Sequence, residues 1–168
     1  MRRLMHIYYG DGKGKTTAAI GLALRAKGCQ KNVVIVQFLK GMPTSEEKCL
    51  SELGISILRC DTCKFVQNMS EEEKAALKKK HDANILAALE MHPEVLVLDE
   101  FLDAAELGLV SNQLIEKAVY KKSENTELII TGHVKNERLF DAADYITEMK
   151  KIKHPFDRGV TARRGIEF

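Results

Sequence analysis

The sequence predicts an α/β fold in which a mostly parallel β-sheet is covered by helices on both faces. Strand-like apolar runs alternate with helix-like segments along the chain, which is the pattern of strand–helix–strand units. Two of these runs, residues 33–38 and 94–98, are almost continuously apolar, as strands buried on both faces are. The length of 168 residues suits a single domain spanning residues 1–168.

The first half of the chain supplies three of the predicted strands. Residues 4–9 predict a strand, and the alanine-rich residues 16–27 predict a helix that Gly28 ends as a left-handed cap. The β-branched residues 33–38 predict a buried strand, and residues 55–59 predict a shorter one. Ligands of such sheets bind beyond the carboxyl ends of the strands, so polar residues at those ends become candidate site residues.

The second half continues the alternation. Ser70 and Glu73 have capping-box spacing, which predicts a long helix over residues 70–91. Further strands are predicted at residues 94–98 and 127–131, helices at 111–122 and 135–142, and extended chain at 145–149. Residues 150–168 hold six lysines and arginines among apolar residues, and we predict that they form a packed segment over the ligand crevice.

Composition and charge exclude several classes of protein. The net charge of +2 is too small to indicate a nucleic-acid partner. No apolar run approaches the roughly 18 residues of a membrane span, and the N-terminus leads directly into a strand without room for a signal peptide. Four cysteines without a secretion signal indicate reduced thiols. We therefore expect a cytoplasmic protein without a membrane or nucleic-acid partner.

A glycine-rich turn between the first strand and the first helix predicts a phosphate-binding loop. Glycines let the backbone approach phosphates, Lys15 supplies a positive charge, and the Thr16 hydroxyl is suited to Mg²⁺. The predicted ATP-binding residues are Gly10, Asp11, Gly12, Lys13, Gly14, Lys15, Thr16 and Thr17. The usual pattern G-x-x-x-x-G-K-[ST] requires glycine where this chain has Tyr9, so the loop is one residue short.

Polar residues follow three of the other predicted strands. Asp99 and Glu100 come directly after an apolar run, as in a Walker B strand, and with Thr16 they form the predicted metal site. Thr131 ends a core strand, where it either senses a phosphate or simply precedes the turn at Gly132. Lys40 follows the second strand and either contacts phosphate or a second substrate, or is an ordinary surface lysine.

The cysteines allow three interpretations. Cys60 and Cys63 form a C-x-x-C pair, with Cys49 before them and His81 after them. A structural zinc site usually has two such pairs, and only one is present. A redox pair usually opens a helix after a strand. We therefore favour unligated thiols over zinc binding or redox chemistry.

Five segments together resemble the ATP:corrinoid adenosyltransferases of the CobA/BtuR type. They are residues 10–19, 36–41, 97–100, 130–132 and 153–160, in that order. The resemblance spans nearly the whole chain, and the one-short loop is a mark of that family. It implies a RecA-like P-loop fold, a homodimer, and ATP and a corrinoid as substrates with Mg²⁺ or Mn²⁺. A flavoprotein reductase is a further partner that the resemblance suggests.

The reaction implied is transfer of the 5′-deoxyadenosyl group of ATP to the Co(I) centre of a corrinoid, in adenosylcobalamin synthesis or salvage. Inorganic triphosphate leaves, and ATP lies reversed in the loop compared with other P-loop proteins. Lys15 and Glu100 are the expected catalytic residues: Lys15 and the metal would stabilise the charge that develops on the departing triphosphate, and Glu100 would orient a water or contact the nucleotide or the metal. The nucleophile is the cobalt of the corrinoid, so the reaction requires no serine, cysteine or histidine nucleophile.

The resemblance also suggests a corrinoid side of the site. Family-like positions are occupied by Gln37, Lys40, His154, Phe156 and Asp157. Cys63 and Phe65 stand where characterised members carry an aromatic pair that helps to displace the lower cobalt ligand. His133 stands where an arginine is common after Ile-Thr-Gly.

Two other functions fit a P-loop fold. A nucleoside or small-molecule kinase would need a general base near the acceptor hydroxyl, a role open to Glu100, and a loop of full length. A regulatory ATPase would need an arginine finger across an oligomer interface, and Arg158 or Arg163 is available for it. The shortened loop argues against the kinase.

Overall fold

Six parallel strands form one sheet in the part of the chain that the computed structural model describes, residues 3–42, 44–60, 66–120 and 125–167. They are β1 (Met5–Tyr9), β2 (Val33–Gln37), β3 (Ser56–Arg59), β4 (Val95–Asp99), β5 (Glu127–Gly132) and β6 (Tyr145–Glu148). Their spatial order is β3–β2–β4–β5–β1–β6, and each neighbouring pair is parallel. The predicted RecA-like α/β class is confirmed, and β5 separates β1 from β4.

Helices cover the sheet on both faces, as predicted. The α-helices are α1 (Lys15–Gly28), α2 (Glu46–Glu52), α3 (Glu71–Glu90), α4 (Phe101–Glu106), α5 (Asn112–Ile115) and α6 (Glu137–Ala142). A π-helical turn (Glu116–Tyr120) follows α5, and 3₁₀ turns lie at Val66–Asn68 and Pro155–Arg158.

Alternate residues of the strands face two separate cores. In β4, Val95 and Val97 pack with α1 and α2, whereas Leu96 and Leu98 pack with α3, α4 and α6. This alternation explains the continuous apolar run of the sequence, because both faces of the strand are buried. Because all six strands are parallel, their carboxyl ends lie at one edge of the sheet. The glycine-rich loop and Asp99 lie at this edge.

Most predicted elements are present with ends shifted by one or two residues. The helix that begins after Ser70 is confirmed, and the Ser70 hydroxyl and Glu73 carboxylate form the capping box. The segment predicted as one helix over residues 111–122 is α5 followed by the π-helical turn, and residues 121–124 lie outside the described residues.

The prediction of Gly28 as a left-handed cap is wrong. Gly28 is the last helical residue of α1, and the left-handed conformation belongs to Gln30, with φ 62°. The helices α2 and α4 are additions to the prediction, because seven and six residues are too few for a clear periodic pattern.

The basic tail differs from the packed segment that we predicted. It reaches the crevice, where Lys13 Nζ donates to Glu167 Oε1 at 2.9 Å and to the Ile166 carbonyl. Its apolar side chains are nevertheless exposed, with Phe156 at 72% and Ile166 at 60%. No helix among the described residues has the length and apolar character needed to cross a membrane.

Candidate functional site

The glycine-rich loop joins β1 to α1 and wraps the start of that helix. Gly10 (φ 112°) and Gly14 (φ 111°) have left-handed backbone conformations, which glycine adopts without a steric penalty. Lys15 is buried, and its Nζ donates to the Gly12 carbonyl at 2.8 Å. Burial lowers the pKa of Lys15, while Asp103 and Glu100 act in the opposite direction. The loop and helix terminus form a cradle suited to polyphosphate.

Met149, just after β6, supports this loop from below. Its N–H donates to the Tyr9 carbonyl, and its carbonyl accepts from the Gly12 N–H, both at 2.7 Å. A Cβ atom at Gly12 would lie 2.6 Å from the Met149 carbonyl oxygen, and one at Gly10 would lie 2.5 Å from it. These glycines are therefore required for the close approach of two backbone segments, in addition to any contact with phosphate.

We expect Gly12→Ala to destabilise the fold by about 1–3 kcal/mol, because the clashing atoms are backbone and the loop has to shift. The same shift misplaces the phosphate cradle, so ATP binding should weaken by at least about tenfold. Urea unfolding and calorimetric titration with ATP measure the two effects. Gly28→Ala is the matched control: a Cβ there meets nothing within 4 Å among the described residues. It should stabilise by about 0.5 kcal/mol, and equal behaviour of the two variants would contradict the prediction.

Asp99 is the centre of a hydrogen-bond network at the end of β4. Its side chain is 2% exposed, and Thr16 Oγ1 and Thr131 Oγ1 each donate to its Oδ1 at 2.8 Å. Lys40 Nζ donates to its Oδ2 at 2.5 Å. The structure thus brings together residues from α1, β4, β5 and the connection after β2, and it gives Thr131 a direct contact with the predicted metal residue.

Glu100 lies beside this network in a left-handed conformation with φ 62°. Its N–H donates to Thr131 Oγ1 at 2.8 Å, and its carboxylate lies 4.0 Å from Lys40 Nζ. Burial raises the pKa of Glu100, which Lys40 opposes and Asp99 reinforces. A non-glycine residue in this conformation costs about 1–2 kcal/mol, and such strain concentrates at functional sites.

An aspartate–histidine pair, Asp103 and His133, lies close enough to Lys15 to interact with it electrostatically. The His133 N–H donates to Asp103 Oδ2 at 2.7 Å, and His133 Nδ1 lies 3.3 Å from the same oxygen. The side-chain hydrogen bond with Asp103 raises the pKa of His133, whereas burial and the charge of Lys15 act to lower it. Sequence reasoning missed Asp103; the available indication was its place four residues after Asp99, in the first turn of α4.

We expect the ATP affinity of the wild type to fall, relative to that of His133→Asn, as pH rises from 6 to 8. The Asp103 contact holds the pKa of His133 above its ordinary 6.5, so the imidazolium is present below that pH and is lost as pH rises through the raised value. Loss of one partly exposed positive charge should weaken binding about two- to fivefold. Titrations of wild type and His133→Asn test this.

His92→Asn is the control, because His92 lies in the exposed turn after α3 with φ 46°, which asparagine tolerates. Deprotonation of ATP is common to all three proteins, so only the difference between them counts. A His133→Asn profile as steep as the wild-type profile would contradict the prediction.

A crevice of about 1370 Å³ opens above the loop and the Asp99 network. It is lined by the glycine-rich loop, the start of α1, residues 39–42 and 44–46, and the end of the tail. Drug-sized ligands occupy pockets of roughly 300–1,000 Å³. The crevice therefore exceeds what one nucleotide requires and leaves room for a second substrate.

The residues expected on the corrinoid side lie in different surroundings. His154 lines the crevice, Phe156 is exposed, and Asp157 is paired with Lys151 Nζ at 3.1 Å. Gln37 is buried at the end of β2, and its Oε1 finds no hydrogen-bond partner among the described residues. Lys40 belongs to the Asp99 network. Cys63 and Phe65 lie outside the described residues.

Comparison with known proteins assigns the family. The model of a family described as "ATP:corrinoid adenosyltransferase BtuR/CobO/CobP" matches residues 1–168. This chain belongs to that family. It is 32% identical to "Corrinoid adenosyltransferase CobA" of Salmonella typhimurium, over 99% of this chain and 86% of that protein. The corrinoid adenosyltransferases of Escherichia coli K12 and Pseudomonas aeruginosa are 31% and 27% identical over 99% of this chain, and the match covers 86% and 84% of their lengths.

The cysteines do not form a metal cluster with other described side chains. No group of three or more histidine, cysteine, aspartate or glutamate side chains in the described ranges is placed to hold a metal ion. Cys29, Cys49 and Cys60 are not in disulfide bonds, and Cys60 Sγ accepts from Asn84 at 3.7 Å. The zinc and redox interpretations gain no support from these residues, and Cys63 falls outside the described part.

Proposed function

We propose that the chain binds ATP with a divalent cation in this crevice and transfers its 5′-deoxyadenosyl group to the Co(I) centre of a corrinoid. The match of the adenosyltransferase family to residues 1–168 carries the proposal. The geometry agrees with it, because the phosphate cradle, the Asp99 network and the space for a second substrate adjoin one another. A cobalt–carbon bond forms at C5′, the bond from C5′ to oxygen breaks, and triphosphate leaves with the electron pair.

Lys15 and the backbone N–H groups of the loop are the proposed ligands of the triphosphate. Negative charge grows on this leaving group in the transition state, so a fixed ammonium and fixed N–H dipoles lower the barrier. The cradle is rigid, since Gly12 is held by Met149 and Lys15 Nζ by the Gly12 carbonyl. Preorganised donors of this kind need no rearrangement as the charge develops.

Thr16, Asp99 and Glu100 are the proposed ligands of Mg²⁺ or Mn²⁺. One hydroxyl and two carboxylates are oxygen donors that suit these hard cations. The structure offers a test of fit: the ammonium of Lys40 contacts the Thr16 and Asp99 oxygens and lies 4.0 Å from Glu100. The position thus accepts a positive charge. When bound, the metal would neutralise charge on the triphosphate.

The shortened loop supports a reversed ATP. A reaction at C5′ leaves the triphosphate intact, so the loop has to hold a leaving group and does not have to expose the γ-phosphate to attack. We propose that the loss of one residue before Gly10 adapts the cradle to this orientation. Tyr9, at the position of the missing glycine, is 7% exposed and packs edge-on against Phe140.

Two copies of the chain are part of the proposal. The edge strand β6 exposes Tyr145 and Ile146, and the tail exposes Ile152 and Phe156. Burial of such apolar side chains against a second copy would be favourable. Light scattering should then give twice the chain mass of 18.9 kDa.

A flavoprotein reductase is the proposed source of the electron that produces Co(I).

Product analysis tests the function directly. The chain is incubated without oxygen with ATP and chemically reduced cobalamin, and phosphorus NMR identifies the phosphate products. We expect inorganic triphosphate together with a light-sensitive alkylcobalt spectrum. ADP and phosphate without a change in the corrinoid spectrum would contradict the proposal and favour the kinase or the regulatory ATPase. Gly28→Ala is the active control, and Lys15→Met is the inactive one.

A further inference from the structure

Lys40 occupies the place that the proposed divalent cation requires. Its Nζ lies 2.5 Å from Asp99 Oδ2, 3.2 Å from Thr16 Oγ1 and 4.0 Å from Glu100 Oε1. These three oxygen-bearing side chains are the proposed metal ligands. An ammonium and a divalent cation cannot share this corner, because both are positive and both need the same lone pairs.

The backbone before Lys40 places this residue beside Asp99. The Phe38 N–H donates to the Asp99 carbonyl at 2.9 Å, which fixes the chain beside β4. Leu39 then adopts a left-handed conformation with φ 56°. This conformation costs about 1–2 kcal/mol in a residue with a Cβ atom. It occurs directly before Lys40, whose Nζ contacts Asp99.

Charge explains why the ammonium is needed before a ligand binds. Asp99 is 1% exposed, and Glu100 is its neighbour, so two carboxylates meet in a poorly solvated corner. A buried carboxylate is costly without a partner. Lys40, with a side chain 20% exposed, supplies that partner while remaining close enough to solvent to leave.

We propose that Lys40 is a tethered occupant of the cation site, which keeps divalent metal out until nucleotide arrives. The inference rests on the metal site of the proposed function. Metal alone has to break the Lys40–Asp99 ion pair and leave the ammonium without a partner. Metal that arrives with ATP brings phosphate oxygens that accept the displaced ammonium. Metal and nucleotide therefore bind together, and free metal binds poorly.

Titration with Mn²⁺ in the absence of nucleotide tests this, with the free ion counted by its electron paramagnetic resonance signal. We expect Lys40→Met to bind Mn²⁺ at least about tenfold more tightly than wild type, because it removes the competing charge. Lys40→Arg keeps the charge and should stay within about threefold of wild type. Lys31→Met is the matched control, since Lys31 Nζ pairs with Glu94 at 3.2 Å at the opposite edge of the sheet.

The titration is repeated with saturating ATP, where the advantage of Lys40→Met should vanish or reverse. Lys40→Gln, a second neutral variant, replaces Lys40→Met if that variant does not keep the wild-type circular dichroism. Unchanged or weaker Mn²⁺ binding in the neutral variant without nucleotide would overturn the proposal. If the substitution tightens Mn²⁺ binding by the same factor with and without ATP, the proposal that ATP phosphates accept the displaced ammonium would be overturned. The readout does not require corrinoid, so failure here is distinct from failure of the transfer assay.

Discussion

Replacing Lys15 by methionine is expected to lower the rate of adenosyl transfer at saturating ATP by at least about 10³-fold. Lys15 is the buried cation of the phosphate cradle, and its Nζ is fixed by the Gly12 carbonyl. Loss of one fixed donor to a developing anion costs about 10²–10³-fold, and here a full charge is lost as well. Single-turnover formation of the alkylcobalt product measures the chemical step.

Lys13→Met is the matched control for this variant. Lys13 lies in the same loop, but its side chain is 48% exposed and is paired with Glu167 of the tail. Solvent screens such a charge, so we expect a loss of no more than about tenfold. Similar losses in the two variants would mean that the loop acts through its overall charge. That result would contradict the role assigned to Lys15.

Asp99→Asn should lower the transfer rate by at least about 10²-fold and also destabilise the fold. The carboxylate accepts from Thr16, Thr131 and Lys40, and an amide offers one acceptor oxygen in place of two. At least one buried donor is left without a partner, which costs about 1–3 kcal/mol. The proposed metal ligand loses its charge at the same time. Transfer assays over a range of Mg²⁺ concentrations and urea unfolding measure the two effects.

Glu94→Gln controls for the loss of a paired carboxylate. Glu94 accepts from Lys31 and Arg3 at the opposite edge of the sheet, and its side chain is 40% exposed. We expect unchanged transfer and a stability loss below about 1 kcal/mol. If Asp99→Asn behaves like Glu94→Gln, the metal site lies elsewhere and the interpretation of the Asp99 network is wrong.

The sequence predicts well the features that depend on local pattern. The continuous apolar runs of β2 and β4 indicate strands buried on both faces, and alternation of strands with helices indicates parallel pairing. Parallel pairing places the ends of these strands along one edge, so Thr16, Asp99 and Thr131 could be expected to meet there. Their hydrogen bonds confirm that they meet.

The features that depend on contacts distant in sequence are absent from the prediction. Met149 supports Gly12 across 137 positions, and nothing in the local pattern of either segment indicates the partner. The Asp103–His133 pair was missed because α4 is too short to be recognised. The contact of Lys40 with Asp99 is not predicted either, because the left-handed turn at Leu39 that precedes Lys40 has no glycine to indicate it.

Because β5 lies between β1 and β4, the sheet sets the distance between the ends of these two strands at the site. The strand that carries the glycine-rich loop and the strand that carries Asp99 are two strand spacings apart, about 10 Å. Main-chain hydrogen bonds fix this separation, so changes in core packing leave it nearly constant. The glycine-rich loop and the start of α1 carry Thr16 from the end of β1 toward β4, and the Thr16 hydroxyl then donates to Asp99 Oδ1 at 2.8 Å. Exchange of Asp99 for the longer glutamate would therefore displace the carboxylate from Thr16 and Thr131 while the spacing of the strands stays the same.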